Sequence, residues 1–310
     1  MQADAAIDVA DVFSHLVEFV GAFMAAGAIG FRYAVLRGRT TGDPVYRAAS
    51  RRGAVIGVVG ALLGAWHVAE VLPRFAARQK VSVLEVPLTN LPMGIWVAAT
   101  ALAIIGFLLA ALGKGAGWHL AAVGVVAGSL RNLVTGELER VITPTHVLVG
   151  GLWIGTLLVL LAAGLPAVFR HADRERRGAI VAEMVNAFSP LALTTGILVV
   201  LLGLVLAFRE VGSVDALLGS AYGNTLIVKV LLVTVVFALG AWNWRRQRPR
   251  LGDESAAFAV RRSATAELAV AFLVLAATAV MVGFPAPAEG EGPPAPPPAG
   301  APATPPPGGG

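Results

Sequence analysis

The stretch Gly53–Leu72 reads GAVIGVVGALLGAWHVAEVL, and only His67 and Glu70 in it carry an ionisable side chain. Its length matches the roughly 20 apolar residues that a helix needs to cross the hydrocarbon core of a bilayer. Seven further apolar runs lie at approximately Val12–Leu36, Gly94–Leu112, Trp118–Val134, Thr145–Val168, Phe188–Phe208, Thr225–Trp244 and Ala264–Phe284. The sequence therefore predicts an all-α, polytopic transmembrane helix bundle of about eight spans, the fourth of which is the shortest.

The composition of the chain agrees with a membrane protein and excludes several other classes. Of its 310 residues, 56% are hydrophobic and 14% are charged, whereas an ordinary soluble domain carries about 25% charged residues. The mean hydropathy of +0.75 excludes a disordered chain, because disorder requires low hydrophobicity. The absence of cysteine excludes disulfides, thiolate metal sites and cysteine nucleophiles. The net charge of +5 does not indicate a nucleic-acid partner, because the basic residues lie in short loops between apolar runs.

The distribution of basic residues predicts the orientation of the spans. With both termini outside the cytoplasm, 17 lysines and arginines fall on the inner side and six on the outer side. Basic residues favour cytoplasmic loops, so we expect this orientation. We divide the chain into an amino-terminal four-span half (residues 1–143), a second four-span domain (residues 144–284) and a disordered outer tail rich in proline and glycine (residues 285–310).

Ionisable side chains inside the predicted spans indicate a functional site, because they are costly to place in a membrane. The first two spans each contain a His-x-x-Glu pair, His15 with Glu18 and His67 with Glu70. This spacing places both side chains of a pair on one face of a helix. The opposite directions of the two spans bring both pairs near the outer end. His146 begins the fifth span at the same end, so we expect three histidines at similar depth.

A cluster of histidines and carboxylates is typical of a site for a divalent metal, since imidazole suits copper and zinc. Met93 and Met281 are also predicted near the outer end and could add thioether ligands, which favour Cu(I). Two simpler interpretations stay open. Single histidines near span ends often bond to backbone groups at the membrane interface, and His–Glu pairs also serve as hydrogen bonds between packed helices.

The second half of the chain contains five motifs in this order: THVLVGGLWIG at Thr145–Gly155, FSPLALTTG at Phe188–Gly196, LGSAYGNTLIVK at Leu218–Lys229, the pair Trp242-Asn243, and RRSATAE at Arg261–Glu267. Together, and in this order, they resemble the copper resistance D family. The resemblance covers roughly Thr145–Phe284. It assigns family-signature positions to His146, Trp153, Lys229, Asn243 and Glu267. One position departs from the family pattern: residues 127–131 read AGSLR, where many relatives carry a histidine.

The resemblance implies an integral inner-membrane protein of bacteria with about eight spans, associated with copper resistance and with copper uptake from periplasm to cytoplasm. We therefore expect a copper-binding protein for copper transport or copper tolerance. Its outer metal site would be formed by His15, His67, His146, Glu18 and Glu70, which would bind Cu(II) or Cu(I). The expected partners are membrane lipid and a periplasmic copper carrier.

Two other functions stay open at this point. A b-type haem held by two histidines would make the chain a membrane redox protein, although the paired glutamates have no role in haem binding. A non-catalytic membrane assembly factor would use the polar side chains only for helix packing. An enzyme is not predicted, because the sequence shows no arrangement of nucleophile, base and oxyanion donors.

Overall fold

The computed structural model of the protein describes residues 8–37, 39–137, 139–247 and 254–284; the predicted tail at 285–310 lies outside these residues. The helices are α1 (Val9–Gly30), α2 (Pro44–Gln79), α3 (Val86–Thr89), α4 (Leu91–Ala111), α5 (Ala116–Ser129), α6 (Glu139–Gly150), α7 (Thr156–Val159), α8 (Leu165–His171), α9 (Arg174–Val211), α10 (Val214–Gly219), α11 (Ala221–Gln247) and α12 (Glu254–Val282). The described part of the chain contains no strand. The predicted all-α helix bundle is confirmed.

Three π-helical turns extend or connect these helices. Phe31–Val35 continues α1, while Gly151–Gly155 and Leu160–Gly164 join α6, α7 and α8 into a single span. A π turn widens the helix and is frequent at functional sites. The turn Gly151–Gly155 carries Trp153, one of the family-signature positions, and it packs against α1.

Seven helical segments of the described chain are long and apolar enough to cross a membrane. The fourth predicted span differs from the expectation, because α5 has only 14 residues and is followed by a 3-10 turn at Arg131–Thr135. Its length of about 21 Å is less than the roughly 30 Å of a hydrocarbon core. It runs antiparallel to α4 with backbone contacts at Gly106, Gly117 and Gly124. Such small residues allow the close approach that holds helices together in lipid.

Helix starts follow from local sequence signals. Asp43 precedes Pro44, and its Oδ1 accepts a hydrogen bond of 2.8 Å from the N–H of Val45 at the start of α2. Asn90 caps α4 in the same way, with its Oδ1 3.1 Å from the N–H of Met93. These caps satisfy backbone N–H groups that have no partner within the helix, so they fix where the chain enters each span.

The core combines side chains from both predicted halves of the chain. Phe31 and Phe107 from the first half and Leu165 and Met184 from the second are each at most 1% exposed. α1 lies parallel to the span formed by α6–α8, in backbone contact at Gly27 and Gly155. It lies antiparallel to α2. The polar residues of α1 are therefore positioned by neighbours from both halves.

Candidate functional site

The two His-x-x-Glu pairs meet between α1 and α2. The helices approach closely at Gly21 and Gly60, where the backbones are in contact. Glu18 Oε2 lies 3.2 Å from His67 Nε2 and 3.5 Å from His15 Nδ1. The two imidazole rings are 6.0 Å apart between centroids. The predicted convergence of these side chains is therefore present in the structure.

Ser14 connects the second pair to this group and orients His67. The Ser14 hydroxyl donates to Glu70 Oε2 at 2.6 Å and lies 3.1 Å from His67 Nδ1. Because the hydroxyl has a single hydrogen, which it gives to Glu70, we infer that His67 Nδ1–H donates to Ser14. The Nε2 atom of His67 then faces Glu18 Oε2. We call Ser14, His15, Glu18, His67 and Glu70 the His/Glu cluster.

Ion pairs extend the His/Glu cluster toward the amino-terminal end of α1. Arg74 Nη2 lies 2.8 Å from Glu70 Oε1, and Arg74 Nη1 lies 3.0 Å from Asp11 Oδ1. Glu70 therefore accepts a hydrogen bond on each carboxylate oxygen, from Ser14 and from Arg74. The arrangement resembles the second shell of many metal sites, in which a ligating histidine donates its other ring N–H to a polar group that is itself held in place.

A cation and an indole ring cover the cluster on the side of α4. The Arg131 guanidinium lies over the Trp96 ring at 4.2 Å, and Trp96 contacts the His67 ring edge-on at 5.8 Å. Arg131 Nη1 donates to the Gly128 carbonyl at 2.9 Å, and its charge interacts with that of Glu18. Arg131 belongs to the segment in which the family histidine is missing. A fixed positive charge therefore lies beside the candidate ligands.

The exposure of the cluster differs between its members. The side chains of His15 and Glu18 are 32% and 31% exposed, whereas that of His67 is 6% exposed. An ion arriving from the end of the bundle would meet His15 and Glu18 first. His67 lies beneath them, held by Ser14 and Trp96.

The distances around Glu18 are close to those of a metal site. Two ligand atoms bound tetrahedrally at 2.0–2.1 Å from one ion lie about 3.3 Å apart, and the two distances from Glu18 Oε2 are 3.2 and 3.5 Å. Nevertheless, no group of three or more His, Asp or Glu side chains within the described ranges is arranged to hold a metal ion. A bound ion would require the His15 and His67 nitrogens to turn toward a common point.

His146 does not join the His/Glu cluster. The parallel contact of Gly27 with Gly155 places His146 at about the depth of Glu18, as predicted from the topology. Its ring, however, lies against Gly203 of α9. Its Nδ1 atom is buried and has no hydrogen-bond partner within the described part of the protein. The described residues thus form a cluster with two histidines and a separate His146, and the metal site expected from all three histidines stays a prediction.

The two methionines occupy different surroundings. Met93 lies on α4 one turn before Trp96, on the side of the helix that approaches His67. Met281 is buried near the end of α12, which contributes no residue to the His/Glu cluster.

The family-signature residues link the helices of the second half. Trp153 packs against Phe237 of α11 with ring centroids 4.5 Å apart. Asn243 of α11 donates from Nδ2 to Glu267 Oε1 of α12. Lys229 lies on α11, near enough to His146 for its positive charge to act on that ring. These residues position α11 and α12 against the span that carries His146.

Sequence reasoning missed three members of the site. Ser14 is an ordinary small residue in a span and gives no signal before its neighbours are known. Trp96 lies near the start of an apolar run, where an indole is typical of the membrane interface. Arg131 belongs to the stretch 127–131, for which the resemblance indicates only that a family histidine is lacking. An arginine close to an apolar run was the one signal available, since a charge there needs a partner.

Comparison with known proteins supports the resemblance drawn from the motifs. The family model for copper resistance protein D matches residues 182–281. This segment contains Lys229, Asn243 and Glu267, and the resemblance to the family is confirmed there; His146 and Trp153 precede it. A copper transport protein of Bacillus subtilis (strain 168), CutJ, is 33% identical over 147 residues. The alignment covers 46% of this chain and only 25% of that relative's length. No solved structure matches the chain.

Proposed function

We propose that this multi-pass membrane protein handles copper, and that the His/Glu cluster is where it captures the ion as cargo. The observation that carries the proposal is the orientation of His67. Its Nδ1 lies 3.1 Å from the Ser14 hydroxyl, so Nε2 is turned toward Glu18 Oε2 at 3.2 Å, and these two atoms are the pair that an ion would bind. The match to copper resistance protein D supports copper as the metal.

In this mechanism His15 and Glu18 receive the ion at the exposed side of the cluster, and His67 completes the set of ligands. The Glu18 carboxylate compensates part of the positive charge of the ion in the poorly solvated helix interface. Ser14, Glu70 and Arg74 do not touch the ion and instead hold the His67 ring in place. Met93 could add a thioether ligand from α4.

The direction of transport and the remaining ligands also belong to the proposal. We propose uptake from periplasm to cytoplasm across the inner membrane, with copper delivered by a periplasmic carrier. His146 acts as a separate contact for copper between α6 and α9, because its Nδ1 is unused by the protein. In this proposal, transport involves no catalysed chemical reaction.

The test is copper binding by purified protein in detergent, with Cu(I), Cu(II) and Zn(II) titrated separately. We expect His67→Ala and Glu18→Gln each to weaken copper binding by at least about tenfold, because each removes a ligand. His119→Ala is the matched control: its ring bonds to Tyr33 at the opposite end of α1, so affinity should not change. Unchanged copper affinity in the His67 variant would overturn the assignment of the site.

An absorption spectrum separates this function from the two alternatives. No observation favours haem, because the Glu18 carboxylate lies between the two imidazoles, where an iron atom would be. A Soret band in the purified protein would contradict the copper proposal. If the variants at His15 and His67 lost stability while metal binding was absent from the wild type as well, the cluster would be a packing device of an assembly factor.

A further inference from the structure

A recess of about 620 Å³ opens at the end of the bundle opposite the His/Glu cluster. It lies between the chain that leaves α1 and the first half of α9. Arg37 and Arg39 line one side, and Glu183 and Asn186 line the other, together with three alanines of α9. We call it the inner recess, because the distribution of basic residues predicts that this end faces the cytoplasm.

Glu183 is the one carboxylate among the described residues that line the inner recess, and the protein already engages it. Arg39 Nη2 lies 2.9 Å from Glu183 Oε1. The Tyr46 hydroxyl donates to the other oxygen, Glu183 Oε2. Both oxygens therefore have donors, and the charge of Glu183 is balanced by that of Arg39.

Arg37 also lines the inner recess, and its positive charge has no carboxylate partner among the described residues. Among the residues that the structure describes, only its Nε finds a partner, the Ala34 carbonyl at 2.9 Å. A guanidinium has five N–H donors, so four remain for a ligand in the recess. The amide of Asn186 adds a further polar group from α9. With Arg39 and Glu183 in balance, the lining carries one net positive charge.

The backbone at Arg37 is held in an unfavourable conformation. Its φ angle is 41°, in the left-handed region that costs free energy for residues other than glycine. The preceding Leu36 is fully buried and anchors the turn. Backbone strain kept at a non-glycine residue is frequent at ligand sites, and here it places an arginine at the mouth of a recess.

We propose that the inner recess binds a phosphate group carried by an anion at the membrane surface. Guanidinium groups recognise phosphate oxygens through paired N–H donors, and basic pockets between helices on the cytoplasmic side bind anionic headgroups. A phospholipid headgroup and a soluble phosphate ester share this chemistry. The recess is larger than a bare phosphate ion requires, and it lies where the apolar part of α1 ends, which is where the length of a span predicts the lipid headgroups to begin.

The position of α9 agrees with this depth. The helix has 38 residues and is about 57 Å long, whereas the hydrocarbon core is about 30 Å thick. The alanines and Glu183 lie in its first four turns, before the apolar run that begins at Phe188. The inner recess is therefore formed by the part of α9 closest to the membrane surface, and its ligand would hold α1 and α9 together there.

The experiment uses the full chain and two kinds of probe. Native mass spectrometry in detergent measures retention of phosphatidylglycerol against phosphatidylcholine, and calorimetry measures binding of glycerol 3-phosphate. We expect Arg37→Asn to weaken binding about fivefold and the double variant with Arg39→Gln about 25-fold, since each surface charge contributes about a factor of five. Glu183→Gln should strengthen binding, because it removes the charge that offsets Arg39. Arg174→Gln, an exposed arginine at the start of α9, is the control.

The variants separate binding from folding. Asparagine tolerates the left-handed region better than arginine, so Arg37→Asn should fold at least as well as the wild type while losing ligand. Binding of phosphatidylglycerol alone identifies a lipid site, and binding of both probes identifies a general phosphate site. Equal binding by the wild type and the double variant would overturn the proposal. Copper binding at the opposite end should be unchanged in all of these variants, so a failed copper site would leave this test intact.

Discussion

Replacing Gly155 with alanine should separate α1 from the span formed by α6–α8. A Cβ atom at this position would lie 1.9 Å from the Phe23 carbonyl oxygen and 3.0 Å from the Gly27 Cα. Ordinary contacts begin at 3.4 Å, so the Phe23 contact is about 1.5 Å too short. The obstacle is backbone within a helix, which cannot rotate away as a side chain could. The helices must therefore move apart.

The cost follows from how helices associate in lipid. Because apolar side chains gain nothing by leaving lipid for a helix interface, close packing provides much of the attraction. A gap of 0.5–1 Å already removes about a quarter to a half of a dispersion contact. A separation of about 1.5 Å along this interface should cost about 3 kcal/mol, the upper part of the range for overpacked cores. For a chain of this size we expect the melting temperature to fall by roughly 5 °C.

Thermal unfolding of purified protein in one detergent measures the effect. Gly64→Ala is the matched control, because a Cβ at Gly64 meets no atom within 4 Å and the residue lies inside α2. Alanine is favoured over glycine in a helix by up to about 1 kcal/mol, so this variant should be as stable as the wild type or slightly more stable. If Gly155→Ala and Gly64→Ala had the same melting temperature, the backbone contact between α1 and the π turn Gly151–Gly155 would be refuted.

Three further outcomes follow from local geometry. Ser14→Ala should weaken copper binding by about 10- to 100-fold while the fold is kept, since it releases His67 Nδ1; titration with copper against the wild type checks this. The Val45 N–H and then Arg176 lower the pKa of the Asp43 carboxyl in the folded protein. The ionised carboxyl therefore stabilises the fold fully above its unfolded pKa of about 3.9. This contribution is lost as the pH falls through the lower pKa of the folded state. The melting temperature of Asp43→Asn should therefore fall less than that of the wild type as the pH is lowered from about 5 to about 3. Lys80→Gly should stabilise the protein by about 1 kcal/mol in thermal unfolding, because Lys80 ends α2 with φ 56°.

The helical spans and the meeting of His15, Glu18, His67 and Glu70 could be predicted because the membrane restricts the possibilities. Once two apolar runs are antiparallel spans, the depth of every residue in them is nearly fixed. Two residues at one depth on adjacent spans then need only the right helix rotation to meet. The His-x-x-Glu spacing supplied that rotation, since both side chains of each pair share a face.

The position of His146 shows where this reasoning ends. Its depth follows from the direction of its span, but the side of the helix that it faces depends on packing. The contact of Gly27 with Gly155 turns the glycine face of this span toward α1. The His146 ring is consequently directed to Gly203 on α9. Sequence alone does not determine which of several glycines forms the closest contact, so the rotation of this span could not be predicted.

Arg131 affects how the proposed copper site would work. The cluster and its surroundings contain the carboxylates of Asp11, Glu18 and Glu70 and the cations Arg74 and Arg131, which leaves one net negative charge when both histidines are neutral. A site that passes its ion onward must bind well enough for entry and weakly enough for release. A histidine in place of Arg131 would add a ligand and remove a repulsive charge. The arginine instead limits the attraction for a cation, which suits the capture and release of a transported ion better than permanent storage.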